Sequence, residues 1–339
     1  MKKHIGLICG GESSEHEVSL LSAKNIITNI NREKYHLHCI GINKDGQWYL
    51  FPSDNIFQNS ADPKKICLNL DSSKKIIPKP YRSSFPLFDT EASRDLDIPI
   101  DVWFPIVHGQ NCEDGTLQGL LELTHTPFIG SKTTASALCF DKAMTKKILH
   151  SKNITVTPFQ VIDRRWKFLS DTLKKQKYDS LISELALPLF VKPSTSGSSV
   201  GVNKVKDYHQ FINAVQEAFL YSENALIEKA IIGQEIEVSV FGPMNNLHQH
   251  STFHHIAKYA DEETQTYVTS IPGEIKTHHE FYSYEAKYID SNGAELILPA
   301  NLSDSDTARI RNIALQTYRE LQCRVLARVD FFFETKTRQ

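Results

Sequence analysis

Apolar runs that end in glycine or polar turns predict an open α/β sheet at the start of the chain. The first run, Ile5 to Cys9, ends in Gly10-Gly11, and apolar residues then recur at helical spacing between Val18 and Ile30. A strand, a glycine turn and a helix in this order bind ligands at the carboxyl end of the strand. The acids of this turn are Glu12, Glu15 and Glu17. They either complement the helix dipole or hold a substrate ammonium group.

A second buried run, Ile100 to Val107, brings polar residues to the same rim of the sheet. It ends in His108-Gly109 and precedes a helix predicted over residues 116–123. We therefore expect the two turns to converge on one crevice and to form a site.

The stretch from Leu189 to Val202 predicts a strand, a small-residue loop and a second strand. Lys192-Pro193 ends the first strand, and serine, threonine and glycine fill the loop before Val200-Gly201-Val202. Such a loop lets backbone N–H groups approach an anion, and the lysine adds positive charge, so a phosphate chain is its natural ligand. The spacing is not that of a Walker loop, and the loop alone fits an ordinary serine-rich hairpin equally well.

Two later strands carry charged side chains on one face. Residues 235–241 alternate polar with apolar, which predicts a strand with one solvated face. The acids on this strand suggest a ribose hydroxyl or a cation nearby. Arg328 and Asp330 also alternate with apolar neighbours and should share a face. They either pair with each other or, beside a phosphate, hold an oxyanion and a metal.

The remaining pattern predicts elements throughout the chain. Helices are expected over 133–147, 163–185, 207–221 and 304–322, and strands over 37–42, 154–159 and 225–231. Asp141-Lys142 falls near the middle of the first of these helices, where a lysine is usually a solvated surface residue. An Asp-Gly turn at Asp45-Gly46 predicts a hairpin. The pattern assigns no role to residues 53–97 or 248–277.

Composition narrows the class of protein. With 339 residues the chain is long enough for two or three domains. A net charge of −2 argues against nucleic acid as a partner, and no stretch approaches the ~18 apolar residues of a membrane span. The six cysteines form no C-x-x-C pair, which indicates thiols in a reducing cytoplasm. The histidines between His248 and His279 lack regular ligand spacing and do not indicate a metal site.

Seven short motifs follow one another along nearly the whole chain. They are Gly10-Gly11-x-Ser13-x-Glu15-x-Glu17-Val18-Ser19, His108-Gly109 with Glu113-Asp114-Gly115, Asp141-Lys142, Lys192-Pro193 with Gly197-Ser198-Ser199-Val200-Gly201, Glu228-Lys229, Lys287-Tyr288 and Arg328-Val329-Asp330. In this order they resemble the D-alanine–D-alanine ligases of the ATP-grasp superfamily. The resemblance implies an α/β and α+β chain with an ATP-grasp fold and an N-terminal Rossmann-like domain. The implied domains are residues 1–131, a central lobe with the phosphate loop over 132–224, and a C-terminal lobe over 225–339.

The resemblance also implies a reaction. ATP phosphorylates the carboxylate of one D-alanine, the amine of a second D-alanine attacks the acyl phosphate, and phosphate leaves to give the dipeptide used in peptidoglycan. The implied cofactors are ATP and Mg²⁺ or Mn²⁺, and the implied assembly is a homodimer through the N-terminal domain.

Several residues would form the ATP site by this resemblance. Lys142 and Lys192 would hold the phosphates, and the loop around Ser198 and Ser199 would close over the γ-phosphate. The adenine would be framed by Glu228, Lys229 and Ile231. Glu235 would bind the ribose. Lys287 would approach the transferred phosphate and pair with Glu113.

The first D-alanine and the metal would lie on other residues. Glu15 would pair with the substrate ammonium group, linked by hydrogen bonds to Ser198 and Tyr288, and His108 would lie beside the substrate. Arg328 would face the developing oxyanion. Asp330 would bind magnesium, because a carboxylate together with ATP oxygens suits a hard cation.

The chain departs from the family pattern after the Arg-x-Asp strand. The family places further magnesium ligands there, in an Asn-Glu-x-Asn-Thr-x-Pro-Gly motif, whereas this sequence stops at Gln339. The resemblance therefore implies an incomplete C-terminal lobe that would bind metal poorly, which leaves the activity of the chain as it stands open. The segment 248–277 is also longer than the family needs.

Three functions follow from these observations. The first is the ligation of two D-alanine molecules. Tyr288 favours D-alanine as the second substrate, because relatives that make D-alanyl-D-lactate use histidine in that loop. The second function is another ATP-grasp carboxylate–amine ligase that uses a different amino or hydroxy acid. The third, suggested by the absent metal ligands, is a non-catalytic ATP-binding protein.

Overall fold

The structure, a computed structural model, describes residues 2–83, 85–243, 266–277 and 294–338. Its contacts divide the chain into two units, Met1–Ala137 and Leu138–Gln339. The implied boundaries at residues 131 and 224 stay a prediction. Lys287, Tyr288 and residues 248–265 lie outside the described residues.

The first unit is built on a mixed sheet. Its strands are β1 (Lys3–Gly10), β2 (Tyr35–Ile42), β3 (Trp48–Leu50), β4 (Phe57–Gln58), β5 (Cys67–Leu68), β6 (Lys74–Pro78), β7 (Leu87–Asp89), β8 (Arg94–Asp95) and β9 (Val102–Pro105). Seven of them form the sheet in the order β8-β7-β6-β3-β2-β1-β9, in which β2, β1 and β9 are parallel. The strands β6 to β8 come from the 53–97 region, whose pattern gave no prediction.

Two helices cover opposite faces of this sheet, α1 (His16–Asn29) and α2 (Thr116–Leu123). A 3-10 turn lies at Leu70–Ser72, and α3 (Thr133–Phe140) crosses the boundary between the units. Ile5, Leu7 and Cys9 pack with residues of α1, whereas Ile8 packs with Trp103 and residues of α2. The predicted Asp-Gly hairpin is confirmed, since β2 pairs antiparallel with β3 and Gly46 has a positive φ.

The described part of the second unit contains two sheets. Its elements are α4 (Lys142–Ser151), β10 (Phe159–Asp163), a 3-10 helix (Arg164–Phe168), α5 (Asp171–Leu185), β11 (Leu189–Pro193), β12 (Asn203–Val205), α6 (Tyr208–Tyr221), β13 (Asn224–Lys229), β14 (Gln234–Gly242), β15 (Val268–Thr269), β16 (Gly273–Thr277), β17 (Ala294–Ile297), α7 (Asp304–Glu320) and β18 (Val325–Phe333). One sheet has the order β10-β13-β11-β12 and packs against α5 and α6. In the other sheet, β14 pairs with β15, β16 and β18. The buried face of this sheet packs against α7.

Four predicted elements were placed wrongly. The helix expected over 163–185 is a 3-10 helix over Arg164–Phe168 followed by α5, which begins after the N-cap Ser170. The helix expected over 133–147 is broken at Asp141, whose extended backbone ends α3 and caps α4. The strand expected over 154–159 begins only at Phe159, because Ile154 and Val156 pack into the core beside α7. The strand after the phosphate loop begins at Asn203, since Ser199 and Gly201 have left-handed backbone conformations. Among the described residues no helix is both long enough and apolar enough to cross a bilayer.

Candidate functional site

The glycine turn after β1 lies against the turn after β9, as the sequence predicted. Ser13 Oγ donates to the carbonyl oxygen of His108 at 2.7 Å. A Cβ on Gly11 would lie 2.6 Å from Cys112 Sγ, and one on Gly109 would lie 2.7 Å from Glu15 Oε2. The two turns approach this closely because β1 and β9 are adjacent parallel strands. They place the largely buried Glu15 carboxylate directly over the Gly109 backbone.

Glu113 organises the second of these turns. Its carboxylate accepts a hydrogen bond from the Gly109 N–H at 3.0 Å and lies 3.6 Å from His108 Nδ1. On the other side of the ring, His108 Nε2 is 3.3 Å from Ser22 Oγ. His108 is therefore held from both nitrogens beside the turn that carries Glu15. The expected pairing of Glu113 with Lys287 involves a residue outside the described ranges.

In the second unit, the break at Asp141 attaches Lys142 to the phosphate loop. The Asp141 carboxylate caps α4 by accepting from Ala143 N and Met144 N, and it also accepts from the hydroxyl of Ser194. Lys142 N donates to Ser194 O at 3.0 Å, and Lys142 Nζ donates to Ser196 O. Lys142 is thus the first residue of a helix and contacts the loop, which distinguishes it from an ordinary solvated helix lysine.

The loop itself has a left-handed backbone at three positions. Ser198, Ser199 and Gly201 all have positive φ, at 50°, 61° and 70°. A tight turn of small residues can present its remaining N–H groups to an anion. Thr195 anchors the start of the loop, since its hydroxyl donates to Ser222 Oγ at 3.0 Å. The loop therefore differs from an ordinary serine-rich hairpin in its left-handed backbone and in its anchored start.

Glu228 joins two lysines beneath this loop. Its Oε2 lies 2.5 Å from Lys192 Nζ and its Oε1 lies 2.7 Å from Lys146 Nζ. Burial raises the pKa of the Glu228 carboxyl, but the two lysines together outweigh burial and the net pKa is lowered. Burial also lowers the pKa of Lys146, and its attraction to Glu228 offsets only part of that effect. The result is two cations sharing one buried carboxylate.

The residues expected around adenine and ribose follow one another along the chain. Lys229 ends β13 with its side chain exposed, and Ile231 lies in the short connection to β14. Glu235 lies on β14 opposite Ile275 of β16 and Phe332 of β18. The structure thus places all three within seven residues that link the two sheets of this unit.

The open face of the β14–β18 pair gathers Arg328, Asp330 and Glu237. Asp330 stands opposite Glu237 in the ladder, and Arg328 stands opposite Ser239. Arg328 donates to both Asp330 oxygens, at 2.7 and 2.9 Å, and its Nε is 3.4 Å from Glu237. This confirms that Arg328 and Asp330 share a face. Two carboxylates side by side also provide the oxygen donors that a hard divalent cation prefers.

Sequence reasoning missed Lys146 and Glu237, although each had a usable signal. Lys146 follows Lys142 by four residues and so lies on the same helix face. Glu237 follows Glu235 by two residues and so lies on the same strand face.

Comparisons with known proteins agree along the whole chain. The family profile described as D-ala D-ala ligase N-terminus matches residues 4–131, and that described as D-ala D-ala ligase C-terminus matches residues 148–339. A D-alanine–D-alanine ligase of Oceanobacillus iheyensis is 40% identical over 332 residues, which cover 98% of this chain and 83% of the relative. D-alanine–D-alanine ligase A of Escherichia coli strain K12 is 38% identical over 331 residues, covering 98% and 83%.

Solved structures give the same result. The VanG D-Ala:D-Ser ligase of Enterococcus faecalis superposes with a TM-score of 0.78 at 28% identity, covering 99% of this chain and 88% of that one. The D-alanine–D-alanine ligase of Coxiella burnetii gives a TM-score of 0.76 at 31% identity, covering 99% and 82%. The predicted fold class is confirmed by these neighbours. The chain is a member of the D-alanine–D-alanine ligase family and has its ATP-grasp fold.

Proposed function

We propose that this chain joins two D-alanine molecules into D-alanyl-D-alanine, with ATP as the energy source, for peptidoglycan synthesis. The observation that carries the proposal is the attachment of Lys142 to the small-residue loop after β11, with Lys192 fixed by Glu228. A triphosphate needs charge neutralisation and alignment more than covalent help, and these groups supply both.

In the proposed ATP site, Lys142 and Lys192 bind the phosphates, and the loop with Ser198 and Ser199 covers the γ-phosphate. Both carboxylate oxygens of Glu228 form ion pairs with lysines. We therefore propose that the main role of Glu228 is to orient Lys192 rather than to frame the adenine. Lys229 and Ile231 frame the adenine, and Glu235 accepts from the ribose hydroxyls. Lys287, outside the described residues, keeps its predicted role at the transferred phosphate.

The first D-alanine binds through its ammonium group to Glu15, with His108 beside it. Tyr288 and Ser198 keep their predicted roles as positioning residues for this substrate. Phosphoryl transfer then gives an acyl phosphate, and Arg328 stabilises the oxyanion that forms when the second amine attacks.

Asp330 and its ladder partner Glu237 fit a divalent cation, Mg²⁺ or Mn²⁺, because both offer carboxylate oxygens on an open face. Such a cation neutralises charge on the ATP phosphates. We also propose a cytoplasmic location and a homodimer through the N-terminal unit. The location is supported by the free thiols at all six cysteines.

The test is D-alanine-dependent phosphate release from ATP by the purified chain. We expect Lys192→Ala to lower kcat/KM at least about 100-fold, the size of effect seen when a preorganised charge is removed. Lys177→Ala, an exposed lysine on α5, is the matched control and should retain full activity.

The second substrate is tested by adding D-serine or D-lactate to a limiting amount of D-alanine. A preference for either would replace D-alanine in the second position, and the D-serine arm matters because VanG is a D-Ala:D-Ser ligase. Stabilisation by ATP without turnover on any of these acids would instead support the non-catalytic function.

A further inference from the structure

Three histidines cluster at the edge of the first unit, away from the turns that carry Glu15 and His108. His4 lies on β1, and His36 and His38 lie on β2. One nitrogen from each ring can be chosen so that all three atoms lie within 4.8 Å of one another. His4 Nδ1 and His38 Nε2 are 2.9 Å apart.

The register of the sheet explains why these rings meet. His4 is directly opposite His36 in the parallel β1–β2 pair, and His38 is opposite Gly6. All three therefore point to one face, which continues inward as Ile8 and Ile40 in the core. On this face of β1 and β2, the inner positions are apolar, whereas the outer positions near solvent are histidines.

The backbone that carries His4 is fixed on both sides. His4 N donates to Asp101 Oδ2 at 2.7 Å, and Asp101 N donates to His4 O at 2.9 Å. On the other edge, β1 is paired with β2 along its whole length. Ligands on a rigid, paired backbone lose little freedom on binding.

From this arrangement we propose that His4, His36 and His38 form a binding site for a divalent transition metal of the zinc class. Three imidazoles with an open fourth position are an established zinc donor set. Nitrogens bound to one tetrahedral zinc lie roughly 3.4 Å apart, given Zn–N bonds of about 2.0–2.1 Å. The His4–His38 separation of 2.9 Å is below this value, and the 4.8 Å limit for the whole set is above it.

The site is separate from the ligase reaction. His4 and Gly10 lie six residues apart on β1, which is about 20 Å along an extended strand. A metal at the amino end of β1 and β2 would tie these strands together without touching the turns at the carboxyl ends. Its binding is therefore measured independently of the activity proposed above.

Zinc chloride is titrated calorimetrically into the full chain, without ATP or magnesium. We expect His36→Ala and His38→Ala each to remove one zinc equivalent or to weaken it at least about tenfold. His36 is exposed, so its variant should fold normally, which circular dichroism checks. His125→Asn is the matched control, since His125 is exposed in the same unit and its positive φ suits asparagine.

Cobalt provides a second readout, because four-coordinate Co²⁺ has characteristic visible absorption bands. We expect these bands in the wild type and not in His36→Ala. The histidines of the 248–279 region are present in every variant, so their background binding cancels. The proposal is overturned if both histidine variants fold and bind zinc with the stoichiometry and affinity of the wild type.

Discussion

Glu228 and Lys192 form an ion pair of 2.5 Å across two neighbouring strands of the four-stranded sheet. They are diagonal neighbours, because Glu228 stands opposite Phe190 in the β11–β13 ladder and Lys192 stands opposite Leu226. Lys146 of α4 approaches the same carboxylate from outside the sheet. The position of Lys192 beside the phosphate loop thus depends on a buried acid that is remote in sequence.

Replacement of this acid should destabilise the second unit. Glu228→Gln leaves two partly buried lysines without a counter-charge, and loss of one partner of a buried pair costs about 3–5 kcal/mol. Urea denaturation measures the change. Glu223→Gln is the control, because Glu223 forms an exposed pair with Arg164 and should lose less than about 1 kcal/mol. Equal losses in the two variants would contradict this account.

The same acid predicts a pH dependence of stability. The pKa of Glu228 is lowered in the folded chain from an ordinary value of 4.5, so the unfolded chain binds more protons between these two values. Its contribution is complete above pH 4.5 and is lost as the pH falls through the folded pKa. We expect the stability difference between wild type and Glu228→Gln to shrink below pH 4.5. A difference that stays constant into strong acid would contradict the prediction.

Gly201 should be essential to the shape of the phosphate loop. Its φ is +70°, and a Cβ there would lie 2.9 Å from Pro193 and from Tyr221. Gly201→Ala should therefore raise the KM for ATP by roughly 5–30-fold, equivalent to about 1–2 kcal/mol of backbone strain. Gly119→Ala is the control, because a Cβ on this helical glycine has no neighbour closer than 3.7 Å. That variant should keep the KM unchanged and gain about 0.5–1 kcal/mol of stability.

Gly109 should matter for the first substrate through Glu15. A Cβ on Gly109 would lie 2.7 Å from Glu15 Oε2 and would displace the carboxylate proposed to bind the ammonium group. Gly109→Ala should raise the KM for D-alanine more than the KM for ATP. Gly46→Ala controls for backbone strain, since its φ of +75° is close to the +80° of Gly109. If Gly46→Ala changes the KM for D-alanine equally, the effect is strain alone.

Glu237 should contribute to binding of the divalent cation. Glu237→Gln removes one of the two facing carboxylates on the β14–β18 pair, so the magnesium concentration for half-maximal activity should rise about tenfold. Glu295→Gln, an exposed acid on β17 of the same sheet, should leave it unchanged. Removal of magnesium with EDTA should abolish the activity of every variant. An unchanged magnesium requirement in Glu237→Gln would exclude the residue from the site.

Local patterning predicted most of the strands and helices because each depends on nearby residues. The strand, glycine turn and helix around Gly10-Gly11 follow from an apolar run and two residues that accept positive φ. Strict alternation in 235–241 gave a strand with one buried and one open face, and this is confirmed by the burial pattern of β14. Alternation with apolar neighbours also predicted that Arg328 and Asp330 share one face.

Pairing between distant segments decided the rest. Whether the 133–151 region forms one helix or two depends on Asp141, whose carboxylate accepts a hydrogen bond from Ser194, fifty-three residues later and just after β11. Glu228 contacts Lys192 because β11 pairs with β13. Asp330 lies opposite Glu237 because β18 pairs with β14. His4 likewise meets His36 and His38 only in the parallel register of β1 and β2. The sequence determines the chemistry of each side chain. Strand register determines which charged side chains become neighbours, and a local sequence pattern does not specify the register.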